Sequence, residues 1–550
     1  MAQINPTLGD FATNIESILS SAQEAREAGA KLLVCPELCV CGYPPMDLLD
    51  HDSFITENRD AVHLLSRRLP RDLGVVVGHV APNPTGSGKP LYNSASLLSG
   101  GVVIGSQAKS LLPTYDVFDE RRYFEPATDC RPLQFAGERI GLTICADIWW
   151  ESYPNPPGSY NRDPVSEQTA LGATLIISPS ASPYSVGKPA LRCARLSQVA
   201  SVSGCPTLYA NMVGGNDELV FDGHSMACTP DGRLIHCSPG FREDVSVIDT
   251  CSKISAEIPS DNYAEIEAAI GVGLRDYLSK TGHERVCLAL SGGIDSAVVA
   301  AVAARQLGSD RVTSFALPSR FSSDGSRNDA QSLAHSLGIN FMLLSIEPAL
   351  KAFLQTLSPV FSNRPPDTTE ENLQARIRGT LVMAFANKTG ALALATGNKS
   401  ELATGYATLY GDMAGAIAPI GDLWKTQVYA LARHINENGM VIPSATLNKE
   451  PSAELRPNQF DSDSLPPYDV LDSILQRYVE QSASIEEIVA AGYELPLVRR
   501  VIRMVSLAEH KRHQAPIVIK LSSRAFGSGR RFPIARYIDP PDAAKASIPS

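Results

Sequence analysis

In residues 1–255, short apolar runs rich in β-branched residues alternate with stretches of helical period. Lys31–Cys35, Gly74–Val80, Ala95–Leu98, Val102–Ser106, Arg139–Cys145, Ala173–Ser178, Thr207–Ala210 and Val245–Asp249 read as strands, and Phe11–Ala28 and Pro189–Val202 as helices. The segments Ala81–Pro90 and Tyr153–Tyr160 are Pro- and Gly-rich loops. That mixture predicts an α/β layer structure with a large strand content. The pattern changes near Ile254–Asp261, where Pro259-Ser260-Asp261 carries turn and N-cap chemistry ahead of an amphipathic helix, Tyr263–Leu278. From there strand and helix alternate strictly: Val286–Leu290, Ala297–Leu307, Val312–Leu317, Ser326–Leu337, Ile339–Ser345, a helix near Leu373–Asn387, and Ala391–Ala395. This predicts a second α/β domain, 256–550, with a doubly wound parallel sheet and ligands at the strand C-termini. Pro451–Pro467 is polar and Pro-rich, a long loop of the kind that serves as a lid.

The junction between Val286–Leu290 and Ala297–Leu307 reads Ser291-Gly292-Gly293-Ile294-Asp295-Ser296. A strand, a tight loop and a helix N-terminus turn free backbone N–H groups and a positive dipole end toward one spot, which suits a phosphate. The glycines permit close approach, the Ser291 and Ser296 hydroxyls add donors, and Asp295 suits Mg2+. A Walker loop is absent. The S-G-G-x-D-S pattern resembles the loop of the ATP pyrophosphatases, which is similar to an adenine nucleotide α-hydrolase fold. The resemblance implies cleavage of ATP between its α and β phosphates and transfer of AMP.

Bulk composition narrows the setting. A chain of 550 residues exceeds one core. Its 44% hydrophobic and 19% charged content is that of a globular protein, and a net charge of −11 argues against nucleic-acid binding. No apolar run reaches membrane-span length, and the start lacks the marks of a signal peptide, so no membrane association and a cytoplasmic setting are expected. The eleven cysteines, with Cys205, Cys251 and Cys287 in apolar context, read as reduced, buried thiols. Cys35, Cys39 and Cys41 match no metal-ligand spacing.

Three residues of the first half fall at or just beyond strand ends: Glu37, Lys109 and Cys145. Their chemistry divides cleanly. The thiol attacks an amide or nitrile carbon, the carboxylate takes the thiol proton and returns it to ammonia, and the lysine with a backbone N–H stabilises the oxyanion. Taken singly, each is an ordinary packed or surface residue. Pro36-Glu37-Leu38 with Gly42-Tyr43-Pro44, Lys109-x-x-Leu112-Pro113-x-Tyr115 with Phe118-Asp119-Glu120, and Cys145-x-Asp147-x-Trp149 resemble the three signature blocks of the nitrilase/amidase family. That resemblance implies an α-β-β-α sandwich over 1–255 and a second carboxylate at Glu120. Within the glutaminase branch it implies glutamine contacts at Tyr115, Ser182 and Lys188.

A glutaminase beside an ATP pyrophosphatase makes an amidotransferase. Leu317–Ser323, Glu371–Gly379, Thr396–Glu401, Gly405–Asp412, Pro451–Pro457 and Arg524–Gly527 resemble the glutamine-dependent NAD+ synthetase family. The resemblance implies deamido-NAD+, glutamine and ATP as substrates, Mg2+ on Asp295 and Glu401, and a homo-oligomer. It also implies ATP contacts at Ser291, Gly292, Gly293, Ile294, Asp295, Ser296, Thr396 and Lys425, and dinucleotide contacts at Asn372, Glu401 and Lys520. Three departures stand out. Ala146 replaces the usual Glu after the nucleophile, the segment Gln514–Lys520 lacks the usual glycine, and only Met1–Ile4 remain for a first strand. Two alternatives stay open: another carboxylate acceptor, or an ammonia-dependent enzyme whose first half is a non-catalytic interaction module.

Overall fold

A computed structural model describes residues 1–150, 160–260, 262–362, 364–437 and 439–538. Most of the Tyr153–Tyr160 loop and the Asp261 cap position lie outside that set. The chain forms two compact units, Met1–Asp261 and Asn262–Ser550.

The first unit is an α-β-β-α sandwich. One sheet runs in the order Leu32–Val34, Gly74–Pro82, Leu91–Ser99, Val102–Ala108. The other runs Leu234–Cys237, Met226–Cys228, Thr207–Asn211, Leu175–Ser180, Glu138–Leu142, Leu133–Phe135. Strand alternation assigns the layers. Val34, Val76, Ala95 and Leu97 meet Ile140, Leu142, Ile177, Leu208 and Ala210 in one buried cluster between the sheets. The neighbouring positions Leu33, Val75 and Val77 point the other way, onto Ile15, Ile18, Val62 and Leu65 of helices Phe11–Glu27 and Asp52–Arg68. Ile176 and Tyr209 pack under Val165, Leu196 and Val199 of helices Pro164–Ala170 and Lys188–Ser203.

Several expected elements are shorter than the pattern suggests. The run to Cys145 ends as strand at Leu142, and Cys145 opens a short helical turn, Cys145–Ile148. Val245–Asp249 contributes only Asp244–Val245, which pairs antiparallel with Ala2–Gln3. The short start is thus a real strand, and the Met1 ammonium donates to the Ser246 carbonyl at 2.7 Å. Cys251 is exposed rather than buried, because it sits in a turn where its N–H bonds the Asp249 carboxylate. All eleven cysteines are free.

The second unit is a doubly wound parallel sheet in the order Asn340–Leu343, Val312–Ala316, Val286–Ala289, Leu392–Leu394, Ile417–Ala418, Ile517–Val518. Every neighbouring pair is parallel. The order reverses beside the earliest of these strands, Val286–Ala289, so a crevice opens above its end and that of Leu392–Leu394. Helix Ile294–Leu307 starts there, and its Ala/Val run from Ala297 to Ala304 is buried throughout. Beyond the elements expected from pattern stand the helices Glu347–Phe361, Tyr468–Val479, Ile485–Ala490 and Leu495–Leu507. The last three pack through Leu471, Ile474, Ile488, Val498 and Val501. Pro451–Pro467 is irregular apart from one turn, Asp461–Asp463. Among the described residues no helix is long and apolar enough to cross a membrane.

Candidate active site

The structure brings Glu37, Lys109 and Cys145 together. Lys109 Nζ donates to Glu37 Oε1 and to Glu120 Oε1, each at 2.7 Å, and all three groups are almost fully buried. Two further residues complete the cluster. Asn93 Nδ2 donates to Glu37 Oε1 at 2.7 Å and reaches Glu120 Oε2 at 3.4 Å. The Tyr43 hydroxyl donates to Glu120 Oε1 at 3.0 Å. The second oxygen of Glu37 accepts from the Ala181 N–H at 3.0 Å. Cys145 adopts φ +44°, a left-handed conformation that a side chain holds only under constraint and that is common at functional sites.

Two carboxylates around one ammonium leave the cluster short of positive charge, and the titration behaviour follows. Burial pulls the Lys109 ammonium down, but Glu120 and Glu37 outweigh it and hold the lysine well above its usual range. Burial, then the charge of Glu37, raises the Cys145 thiol, with Lys109 opposing. Cys145 is therefore held toward its thiol form, and an attack by its sulfur would need a base. Burial pushes Glu120 up to about 7, with Glu37 adding to it against Lys109. The sign of the linkage is fixed by that rise. An unfolded glutamate titrates near ~4.3. Between there and about 7 the folded chain holds the extra proton, so stability falls as pH rises through this window and is flat above it. Glu120→Gln should therefore gain in unfolding temperature relative to the parent across that window and not beyond. Calorimetry over a pH series checks this, and a constant gap would contradict it.

Of the expected glutamine contacts, Ser182 is buried, with its N–H on Asn211 Oδ1 at 2.9 Å. Lys188 opens helix Lys188–Ser203, its ammonium 4.9 Å from the Trp149 ring centroid. Tyr115 is half-buried, and burial raises its hydroxyl well above the usual phenol range.

The second constellation surrounds a cavity of about 290 Å³ at the crevice of the parallel sheet. Ser291, Gly293, Ile294, Asp295, Ser296, Thr396, Glu401 and Lys425 line it. The loop is self-braced. Ser291 and Ser296 hydroxyls lie 3.1 Å apart, and the Gly293 N–H donates to Ser291 Oγ at 3.2 Å. Gly292 has φ +82°, and a Cβ there would run into the Ser326 backbone carbonyl. Gly292→Ala should cost about 2 kcal/mol or more and disable ATP use, read by thermal unfolding and AMP release. Unchanged stability and turnover would show that the loop tolerates a side chain.

Lys425 Nζ bonds Asp295 Oδ2 at 2.5 Å and lies 3.9 Å from Glu401 Oε1. Asn398 ties both carboxyl residues: its Nδ2 donates to Asp295 Oδ1 at 2.9 Å, and its Oδ1 accepts the Glu401 N–H at 3.0 Å. Burial, reinforced by Asp295, pushes Glu401 up to about 8. Arg327, Arg378, Lys425 and Lys449 all line the cavity, a cationic pocket in a chain of net charge −11. Burial lowers the Arg378 guanidinium to about 10, offset in part by Glu454 and Asp412. Glu454, from the loop Pro451–Pro467, accepts from Ser323 Oγ at 2.9 Å and from Lys449 at 2.8 Å, which ties that loop to the cavity wall.

Three expected contacts stand apart from the cavity lining: Gly292 at the turn of the loop, Asn372 and Lys520. Asn372 accepts from the hydroxyl of Thr408, which does line it, at 3.0 Å. Lys520 is buried and donates to the Ser522 carbonyl at 2.6 Å.

Residues 1–252 match a family model described as carbon-nitrogen hydrolase, and residues 266–515 one described as NAD synthase. A glutamine-dependent NAD(+) synthetase of Synechocystis sp. is 44% identical over 551 residues, spanning 98% of this chain and 99% of that one. The chain belongs to the glutamine-dependent NAD(+) synthetase family. A second relative of that name, from Thermotoga maritima, is 41% identical and spans 98% of this chain and 99% of its own. The solved glutamine-dependent NAD+ synthetase of Acinetobacter baumannii in complex with adenosine diphosphate is 37% identical, with a TM-score of 0.77 over 97% of both chains. That of Cytophaga hutchinsonii, 24% identical with a TM-score of 0.80, shares the fold.

Within this synthetase family member, the structure shows what stands beside Ala146. Asp147 accepts from the Ser110 N–H at 3.0 Å and the Leu111 N–H at 2.7 Å through one oxygen, and from the Ile144 N–H at 3.0 Å through the other. It thus ties the residues after Lys109 to the residue before Cys145, with no side chain needed at 146. Burial raises Asp147 to about 6 against those three donors. Asn93 had no signal in the sequence, since a lone Asn inside a strand carries none. Tyr43, Asp147 and Asn398 sit inside the motif blocks, which located them without showing their bonds.

Proposed function

We propose that the chain hydrolyses glutamine in its first unit and, in its second, uses ATP and the released ammonia to convert deamido-NAD+ into NAD+, AMP and pyrophosphate. What carries the reading is the pairing in one chain of a buried Glu37–Lys109–Cys145 cluster with a cation-lined cavity at the Ser291–Ser296 loop.

In the first step Glu37 takes the proton of the Cys145 thiol as sulfur attacks the side-chain amide carbon of glutamine. Lys109 and the backbone N–H of Ala146 hold the oxyanion. Glu37 gives its proton to the leaving amine, ammonia departs, and water, deprotonated by Glu37, hydrolyses the thioester to glutamate. Tyr115, Ser182 and Lys188 are the proposed glutamine contacts.

In the second unit a carboxylate oxygen of the nicotinate attacks the α-phosphorus of ATP and pyrophosphate leaves. Ammonia then attacks the acyl adenylate carbon and AMP leaves. Ser291–Ser296, Thr396 and Lys425 are the proposed ATP contacts, with the backbone N–H groups and the lysine meeting phosphate charge. Asp295 and Glu401 present hard oxygen donors beside a phosphate site, which fits Mg2+. Bound there with ATP, Mg2+ would neutralise phosphate charge. For the dinucleotide, Glu401 lines the cavity and Asn372 adjoins it through Thr408, which supports both assignments. Lys520 rests on the family resemblance alone. A cytoplasmic, homo-oligomeric enzyme completes the proposal, supported by the eleven free thiols and by the exposed Phe353 and Val360 on helix Glu347–Phe361.

AMP release with a panel of carboxylic acids tests the acceptor. Release should require deamido-NAD+; faster turnover of a purine nucleotide acid or aspartate would overturn the assignment.

A further inference from the structure

Two ionised side chains with no exposure take no part in the chemistry above. Arg192, on helix Lys188–Ser203, and Asp222, ending strand Leu219–Asp222, form a two-point pair at 2.9 and 2.6 Å. Stripping water from both ions costs several kcal/mol each, and such pairs are often no more stable than an apolar replacement. Stability is therefore a weak reason for the pair.

Its neighbours supply a better one. Asn211 Oδ1 accepts the Ser182 N–H at 2.9 Å, while its Nδ2 donates to the Gly223 carbonyl at 2.8 Å and reaches the Ser182 carbonyl at 3.4 Å. Arg192 makes long contacts to the same two carbonyls, 3.4 Å to Gly223 and 3.5 Å to Ser182. Both faces of the Ser182 backbone are thus held by one buried frame. The residue before it, Ala181, donates its N–H to Glu37. Lys188 lies four residues before Arg192, on the same face of the same helix. The frame therefore fixes Ser182, Lys188 and the catalytic carboxylate relative to one another.

We infer that Arg192, Asp222 and Asn211 are positioning residues that set the enzyme's choice of glutamine, by holding Ser182 and Lys188 at the spacing that brings the amide carbon of glutamine, and not that of the shorter asparagine, to Cys145. The inference rests on the reading of Ser182 and Lys188 as glutamine contacts. One methylene of misfit in a rigid site is worth about 10–200-fold in discrimination, and a loosened frame forfeits part of it.

The test compares the full-length parent with Asn211→Ala and with the double replacement Arg192→Met, Asp222→Leu, whose apolar pair spares the fold an unpaired buried charge. The expected result is a rise of about tenfold or more in the glutamine KM, kcat within about twofold, and a smaller preference over asparagine. Alkylation of Cys145 by iodoacetamide and ammonium-driven synthesis should match the parent. An unmoved KM and preference in Asn211→Ala would overturn the inference. So would a fall in kcat and alkylation alongside KM in both variants, which would make the frame a general support of the fold. Ser182→Ala and Lys188→Ala report separately: if neither moves the glutamine KM, the failure lies in the reading of those two residues as contacts.

Discussion

Cys145→Ala should abolish glutamine-driven NAD+ formation, by a factor of about ten-thousand or more, and should leave ammonium-driven formation within about twofold. The asymmetry follows from the chemistry assigned to each unit. Without sulfur, the Glu37–Lys109 cluster has no atom to carry the acyl group, and a buried amide is not attacked by water at a useful rate. The methyl group fits the space of the thiol, and alanine faces the same left-handed strain that cysteine bears at φ +44°. The fold is therefore not asked to change. Parallel assays with glutamine and with ammonium check the result. Retained glutamine use would remove Cys145 as the nucleophile, and loss of both activities would show that the first unit does more than supply ammonia.

Asp295→Asn removes the opposite step. It keeps the shape of a side chain that accepts from Asn398 and Lys425, yet deletes the charge that pairs with Lys425 at 2.5 Å. It also deletes one of two carboxylates suited to Mg2+. Release of AMP and pyrophosphate should fall by about a thousandfold or more with either nitrogen source. Cys145 should still be alkylated at the parental rate, because that thiol answers to Glu37 and Lys109. Release of AMP within about tenfold of the parent would mean that Asp295 serves only to hold Lys425.

The legible parts of the chain are those where one local pattern carries the whole message. Strand Val286–Ala289 and the Ala/Val run of the helix after it are largely buried, and the glycine loop between them opens onto the cavity, so composition and turn chemistry agree over some twenty residues. Glu37, Lys109 and Cys145 are legible as ends of apolar runs; the 2.7 Å contact of Lys109 with Glu37 forms beyond two strands of one sheet, and Cys145 follows a strand of the other. Other parts resist reading for physical reasons. Helix Glu347–Phe361 carries Leu350, Phe353, Leu354, Leu357 and Val360 at helical spacing, but Pro359 stands inside the same run and argues against a helix there. Asn93 acquires meaning only when strand Leu91–Ser99 comes against Glu37. The same holds for Arg192 and Asp222, thirty positions apart, whose charges a sequence reading would put at the surface. Cys251 is exposed, as its polar neighbours Asp249, Thr250, Ser252 and Lys253 and the turn at Asp249 require.

The central claim is that one chain moves the amide nitrogen of glutamine onto the nicotinate carboxylate of deamido-NAD+ through an adenylate. Turnover with glutamine labelled by heavy nitrogen in its side-chain amide, together with deamido-NAD+, ATP and Mg2+, tests it most directly. Mass spectrometry should find NAD+ heavier by one mass unit, with AMP formed in equal amount. Unlabelled NAD+, or ADP in place of AMP, would contradict the account.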